Sequence, residues 1–165
     1  MSFARALRHL FAPAWIVRRA LPSTSLDRLE AEIGASETHH RGEIRFAVEG
    51  ALEFLAVLRG LAPRERALQM FSLLRVWDTE ENSGVLIYVQ LVDHDIEIVA
   101  DRGIAARIEQ AEWDAICHRM EEAFRAGRFE EGARTGVADV TKLLVRHFPA
   151  GVRNPDELPD RPVVL

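Results

Sequence analysis

The run Asn82-Ser83-Gly84-Val85-Leu86-Ile87-Tyr88-Val89, followed closely by Asp95-Ile96-Glu97-Ile98-Val99-Ala100-Asp101-Arg102-Gly103-Ile104, constrains the fold more than any other part of the chain. The first stretch, Val85 to Val92, is apolar on both sides except at Gln90, which describes a central strand covered on both faces. The second alternates, with Ile96, Ile98 and Ala100 on one side. Asp93-His94 leaves room only for a tight turn between them, so the pair is antiparallel. The end of the second strand therefore returns to the start of the first. Asp101-Arg102 and the loop Asp78-Thr79-Glu80-Glu81-Asn82 are expected to share one pole.

Residues 43–49 alternate strictly, with Ile44, Phe46 and Val48 on one face, and read as a half-buried strand. A short helix over 51–59 follows. Pro63 then opens a helix through about Arg75 with Leu68, Phe71 and Leu74 as its inner stripe. A right-handed crossover makes this strand parallel to the central one. Neighbouring strands lie ~4.8 Å apart, which puts Glu43 ~10 Å from Asp101 with the central strand between them. Ser23, Thr24 and Ser25 offer an N-cap for a helix through Leu26, Leu29 and Ile33 to about His39-His40. A helical turn is expected over Ile104–Ile108. A helix over 111–126 turns Trp113, Ile116, Met120 and Phe124 inward and stops at Gly127. A last helix runs from about 130 to 147 with Val137, Val140 and Leu144 inside. The tail from Phe148 holds four of the seven prolines and reads as extended.

These elements predict an α/β fold, a three-layer α/β/α sandwich around a small mixed β-sheet with an added N-terminal helix. The division is a basic amphipathic helix over 1–22, a domain over 23–149 and a Pro-rich extended tail over 150–165.

A net charge of −5 argues against a nucleic-acid partner, which needs a basic surface to displace counterions. No dinucleotide fingerprint, P-loop, Gly-x-Ser-x-Gly or His-Glu-x-x-His occurs. The single cysteine, Cys117, falls among helical apolar positions and reads as a buried, inert thiol. No segment approaches the ~20 apolar residues of a membrane span. Pro13 interrupts the only stretch resembling a secretory signal. The expected location is cytoplasmic, peripheral on a membrane. That last point rests on residues 2–21, which carry Arg5, Arg8, Arg18 and Arg19, with no acid before Asp27. Phe3, Leu7, Leu10, Phe11, Ala14, Trp15 and Val17 lie roughly along one side of this helix. Two readings stay open: it rests on an anionic membrane surface, or it packs on the domain.

Hard cations need several oxygen ligands. Asp78, Glu80, Glu81, Asn82 and Asp101, with Glu43 at the same pole, are candidate ligands for Ca²⁺ or Mg²⁺; the alternative is a solvated acidic loop. Arg102 beside Gly103 suggests an anion site; the alternative is Asp101 capping the turn with Arg102 exposed. Asp93-His94-Asp95 resembles the Asp-x-Asp of aspartyl-phosphate chemistry, but it falls in a hairpin turn rather than at the end of a parallel strand. His39 and His40 near Glu43 suggest a transition-metal site, and a solvent-exposed histidine pair is the favoured reading. His118 and Glu122 read as a helix-surface pair.

Together, Arg41-Gly42-Glu43-Ile44-Arg45, Asn82 to Val89, Ile98 to Ile104, Trp113, Phe124-Arg125-Ala126-Gly127-Arg128-Phe129 and His147-Phe148-Pro149 form an ordered set. The set resembles the TPM-domain family, named for its thylakoid-lumen, photosystem II repair and acetylcholine-receptor accessory founders, over about Leu26 to Pro149. The resemblance implies an α/β/α sandwich, divalent-cation binding in some members and acid phosphatase activity attributed to some, while others look like accessory modules of membrane-protein assemblies. Positions matching the family's polar pole are Glu43, Asn82, Asp101 and Arg102. Many members carry a signal peptide and a membrane helix with a Gly-rich tail, and neither pattern is seen in this sequence. The run Asn154-Pro155-Asp156-Glu157-Leu158-Pro159-Asp160 resembles a variant group of soluble-looking members. The expected function is a noncatalytic binding or accessory module, divalent-cation-stabilised, docking on a protein partner or membrane face. The alternative is a metal-assisted acid phosphatase acting on phosphomonoesters, with Asp101 and Arg102 as its candidate catalytic residues.

Overall fold

The computed structural model describes residues 3–151 and 154–165. The chain runs α1 (Phe3–Leu10), α2 (Ile16–Ala20), α3 (Ser23–Glu37), β1 (Glu43–Glu49), α4 (Phe54–Leu58), α5 (Pro63–Leu73), β2 (Gly84–Gln90), β3 (Asp95–Ala100), α6 (Arg102–Ala105), α7 (Gln110–Arg125), α8 (Phe129–His147) and β4 (Val163–Val164). The sheet order is β3-β2-β1-β4. β1 is parallel to β2 and β4, and β3 is antiparallel to β2. The three-layer sandwich is present. Residues of α3, α7 and α8 cover one face, where they meet Ile44, Phe46 and Val48 of β1 and Val85, Ile87 and Val89 of β2. α5 covers the other through Ala67 and Met70, packed on Ala47, Leu86, Tyr88 and Val99. Each of the larger side chains contributes ~1.5–3 kcal/mol by leaving water.

β1 has the expected bounds, but it is covered on both faces rather than one. The polar positions Glu43, Arg45 and Glu49 each find hydrogen-bond partners inside the molecule, although Arg45 Nε has none among the described residues. Glu49 is buried and accepts from Arg66 Nε (2.9 Å), Arg66 Nη2 (2.7 Å) and the Tyr88 hydroxyl. A buried carboxylate persists only with such partners. α5 also differs from expectation. Leu68 points outward, at 49% exposure, and the inner stripe is Ala67 and Met70, with Phe71 and Leu74 part-buried beside them.

The single N-terminal helix expected over 1–22 is two helices, α1 and α2, parted around Pro13. Proline lacks the N–H that a continuous helix needs and clashes with the preceding turn. The expected serine cap of α3 is replaced by extended Pro22 at the N-cap position, and Ser25 instead donates to Glu130 of α8 at 2.5 Å. α6 begins before the expected turn at Ile104, because Asp101 caps it. Gly127, at φ +75°, ends α7 as expected. The tail is extended but tied down. Leu158 joins the second core, Arg45 donates to the carbonyls of Pro159 and Arg161, and β4 pairs Val163 with Ala47 and Val164 with Val48. Among the described residues no helix is long and apolar enough to cross a membrane.

Candidate functional site

Chain direction brings Asp101 and Asn82 together. The Asp101 N–H donates to the Gly84 carbonyl (2.8 Å), and the Gly103 N–H donates to the Asn82 carbonyl (3.1 Å). Arg102 Nε donates to Asn82 Oδ1 at 3.0 Å. Asn82 sits at φ +52°, a left-handed conformation that Asn tolerates better than most residues. Asp101 Oδ1 accepts the Arg102 N–H (2.7 Å), whereas Oδ2 is enclosed without a hydrogen-bond partner among the described residues.

The other candidates lie elsewhere. Asp78 pairs with Arg75 on the exposed surface (2.6 Å). Glu81 pairs with Arg41 (2.7 Å), and the Glu80 N–H donates to Glu157 Oε1 (2.9 Å). Glu43 starts β1 in register with Gly84, but its buried carboxylate turns to the tail. There Oε2 accepts the N–H groups of Glu157 (3.1 Å) and Leu158 (3.0 Å). Burial raises the Glu43 carboxyl to about 7 even against those two bonds. Of the histidine pair, His39 is exposed as expected. His40 is fully buried, without a well-formed ring hydrogen bond among the described residues, and burial lowers it to about 4, so it is neutral. His118 approaches Glu121 (3.6 Å) rather than Glu122. Cys117 is buried, and burial pushes its thiol up to about 12.

Sequence reasoning missed a second acidic group. Glu37, at the end of α3, meets Asp156 and Asp160 of the tail, with ligand oxygens within 4.8 Å of one another. Glu43 lines the same cleft of about 340 Å³. Gly34 makes the approach possible, since a β-carbon there would lie 2.5 Å from Asp160 Oδ2. These carboxylates can share protons or offer oxygens to a hard cation. Glu37 accepts the Ile44 N–H at 2.8 Å. Burial, then the charges of Glu43 and Asp160, push its carboxyl up to about 9. Glu37 therefore holds a proton at neutral pH; burial raises the Asp160 carboxyl as well, against the bond it shares with Glu37. The only available signal was the acid-rich run Asp156 to Asp160, far from Glu37 in the chain.

A pH prediction follows from Glu37. Its ordinary value is 4.5, so between there and about 9 the folded chain holds a proton that the unfolded chain has released. Stability falls as pH rises through that window. The expected slope is on the order of 1 kcal/mol per pH unit near neutrality. Glu37→Gln keeps the acceptor for Ile44 and supplies a permanent donor. Urea midpoints measured across neutral pH should decline less steeply in the variant, with Glu43 leaving a residual slope. Equal slopes would refute the assignment.

The N-terminal helices form the other notable surface. α1 is held by Asp93 at the β2–β3 turn. That carboxylate takes Arg5 Nε (2.8 Å), His9 Nε2 (3.0 Å) and, more weakly, Arg8 Nη2 (3.4 Å). His9 Nδ1 accepts the Leu52 N–H (3.0 Å), so Nε2 carries the proton given to Asp93. Burial opposes the charge on Asp93, but the bonds from Arg5 and His9 outweigh it and hold the carboxyl below its ordinary range. Ala6 packs with Leu52 and Val57 beneath α1. The exposed apolar residues are Phe3 (61%) and Leu10 (54%) of α1 and Phe11 (78%) and Trp15 (52%) of the link to α2. Val17, by contrast, is buried in the main core.

Comparison with known proteins bears on the whole arrangement. No curated protein matches the chain. The solved structure of BA42 from the psychrophilic bacterium Bizionia argentinensis is similar, with 27% identity over 87% of this chain and 94% of that one and a TM-score of 0.76. The N-terminal domain of a P. gingivalis protein shares the fold at 23% identity and TM-score 0.59, over 78% of this chain and 80% of that one. A family profile described as the TPM domain matches residues 18–143, from within α2 to Leu143 of α8. With that match spanning β1, β2, β3 and the Asn82–Asp101 pole, the chain belongs to the TPM-domain family.

Proposed function

We propose that this TPM-domain protein is a noncatalytic binding module that docks through the outer surface of α1 and the link from α1 to α2. One observation carries this reading: α1 is anchored to its own domain by a polar latch and Ala6, while Phe3, Leu10, Phe11 and Trp15 face solvent. Exposed apolar patches rimmed by polar groups mark interaction surfaces. The Pro-rich tail is a weaker docking candidate, because Glu43, Arg45 and the sheet edge already engage it. A divalent cation among Glu37, Asp156 and Asp160 would pin that tail further and stabilise the module.

Metal-assisted phosphatase activity draws support from Asp101 Oδ2, which has no hydrogen-bond partner among the described residues. It is the weaker reading. Asp78 and Glu43 lie away from Asp101, and Arg102 is tied to Asn82. Turnover of an aryl phosphate that is lost in Asp101→Asn with the fold intact would favour the enzyme.

The docking reading is tested by fractionation. The tagged full chain, in a lysate of the cells that make it, should travel with large assemblies or membranes. Phe11→Ser/Trp15→Ser should shift most of it to the free fraction while the thermal midpoint stays constant. An unchanged distribution would sink the reading.

A further inference from the structure

We infer that the occupant of this face is the surface of an anionic lipid bilayer; the inference rests on the docking reading above and names its partner. The first argument is charge. Residues 1–26 hold four arginines and no acid, whereas the remainder holds 17 basic and 26 acidic residues. Arg5 and Arg8 share Asp93, so Arg18 and Arg19 carry most of the positive charge that this end sets against a net acidic body. An anionic surface attracts that end and repels the rest, which orients the molecule as well as binding it.

The second argument is the placement of the side chains. Arg8, Arg18 and Arg19 are exposed among Phe3, Leu10, Phe11 and Trp15, and the Arg19 guanidinium lies 5.5 Å from the centre of the Trp15 ring. Aromatic and leucine side chains that enter the headgroup boundary, with arginines beside them for lipid phosphates, are the chemistry of a helix lying in an interface. Leu55 and Leu58 are exposed on α4, the helix against which α1 packs; Glu53, at the start of α4, is the exposed acid of that element.

The third argument is that the apolar stripe is not needed for folding. Arg5 and His9 grip Asp93 from the opposite side of α1, so burying the stripe in lipid breaks no contact in the core. The helix meets the bilayer already ordered, without the entropy cost of folding on arrival.

The experiment uses the full chain and large vesicles, either of phosphatidylglycerol mixed with phosphatidylcholine or of phosphatidylcholine alone, with co-sedimentation as the readout. Binding is expected to the anionic vesicles at low salt and to weaken as salt rises. Arg18→Glu/Arg19→Glu should reduce partition at least ~tenfold, since each charge near the surface counts separately. Phe11→Ser/Trp15→Ser should do the same through lost insertion. These positions are exposed, so the variants keep their fold, which circular dichroism and the thermal midpoint check. Equal binding to neutral vesicles, or binding that neither double variant alters, overturns the inference. So does failure to bind anionic vesicles. If that failure accompanies a fractionation shift in Phe11→Ser/Trp15→Ser, the occupant is a protein, and the docking reading survives without lipid.

Discussion

Gly84→Ala is expected to lower stability by ~3 kcal/mol, among the larger losses available to a single methyl group. A β-carbon at Gly84 would lie 1.9 Å from the Val76 carbonyl oxygen and 2.9 Å from Val76 Cγ1. The first neighbour is backbone, so no rotamer change relieves the clash. Either Val76, in the segment after α5, or the first residue of β2 must move. Gly84 pairs with Glu43 and its carbonyl accepts from Asp101, so movement disturbs the sheet start and the Asn82–Asp101 pole together. Gly127→Ala is the control. Gly127 sits at φ +75° with nothing within 4 Å of an added β-carbon, so its cost is conformational alone, ~1 kcal/mol. For a chain of this size the larger loss corresponds to a fall of ~6–12 °C in thermal midpoint, the smaller to a few degrees. Equal midpoints for the two variants would show that the close approach at Val76 carries no energetic weight.

Much of this architecture is visible in residue pattern because it depends on local periodicity. Ile44, Phe46 and Val48 mark β1 at its true bounds, and Ile96, Ile98 and Ala100 mark β3. Trp113, Ile116, Met120 and Phe124 fall on the inner face of α7 at helical spacing. Once the β2–β3 turn is recognised, the meeting of Asn82 with Asp101 follows from strand direction. Features set by distant partners are hidden. Two residues, Val163 and Val164, carry no strand signal, and only the edge of β1 makes them β4. Glu37 looks like one more surface acid until the tail covers it. Alternation puts Glu43 at the start of β1, at the pole of Asn82 and Asp101, but it does not say which of two neighbouring partners the carboxylate will choose. The same limit explains α1. Its apolar stripe is plain in the sequence, but pattern alone cannot decide between core and solvent; Asp93, some eighty residues away, decides it.

That dependence makes Asp93→Asn the most informative change at the N-terminus. The substitution keeps the shape and removes the charge that Arg5, Arg8 and His9 share. The His9 side chain is fully enclosed and Asp93 nearly so, whereas Arg5 retains partial access to water. Breaking a fully buried pair costs 3–5 kcal/mol, so a figure of ~2–3 kcal/mol suits this partly wetted cluster. The loss should be local. What remains under α1 is Ala6 on Leu52 and Val57, with the Leu52 N–H on His9 Nδ1 (3.0 Å) and Arg5 Nη1 on the Leu61 carbonyl (3.0 Å), a small set of contacts for a helix of eight residues. The strands β1 and β2 do not use the latch and should keep their full protection. Hydrogen exchange separates the two cases. Amides of α1 should exchange roughly 30–150-fold faster in Asp93→Asn, the factor that 2–3 kcal/mol implies, while those of Phe46 and Ile87 should be unchanged. Uniform acceleration across the sheet would mean that α1 folds as part of the global core. No acceleration in α1 would mean that the contacts to Leu52, Val57 and Leu61 suffice and that the Asp93 cluster does not hold the helix in place.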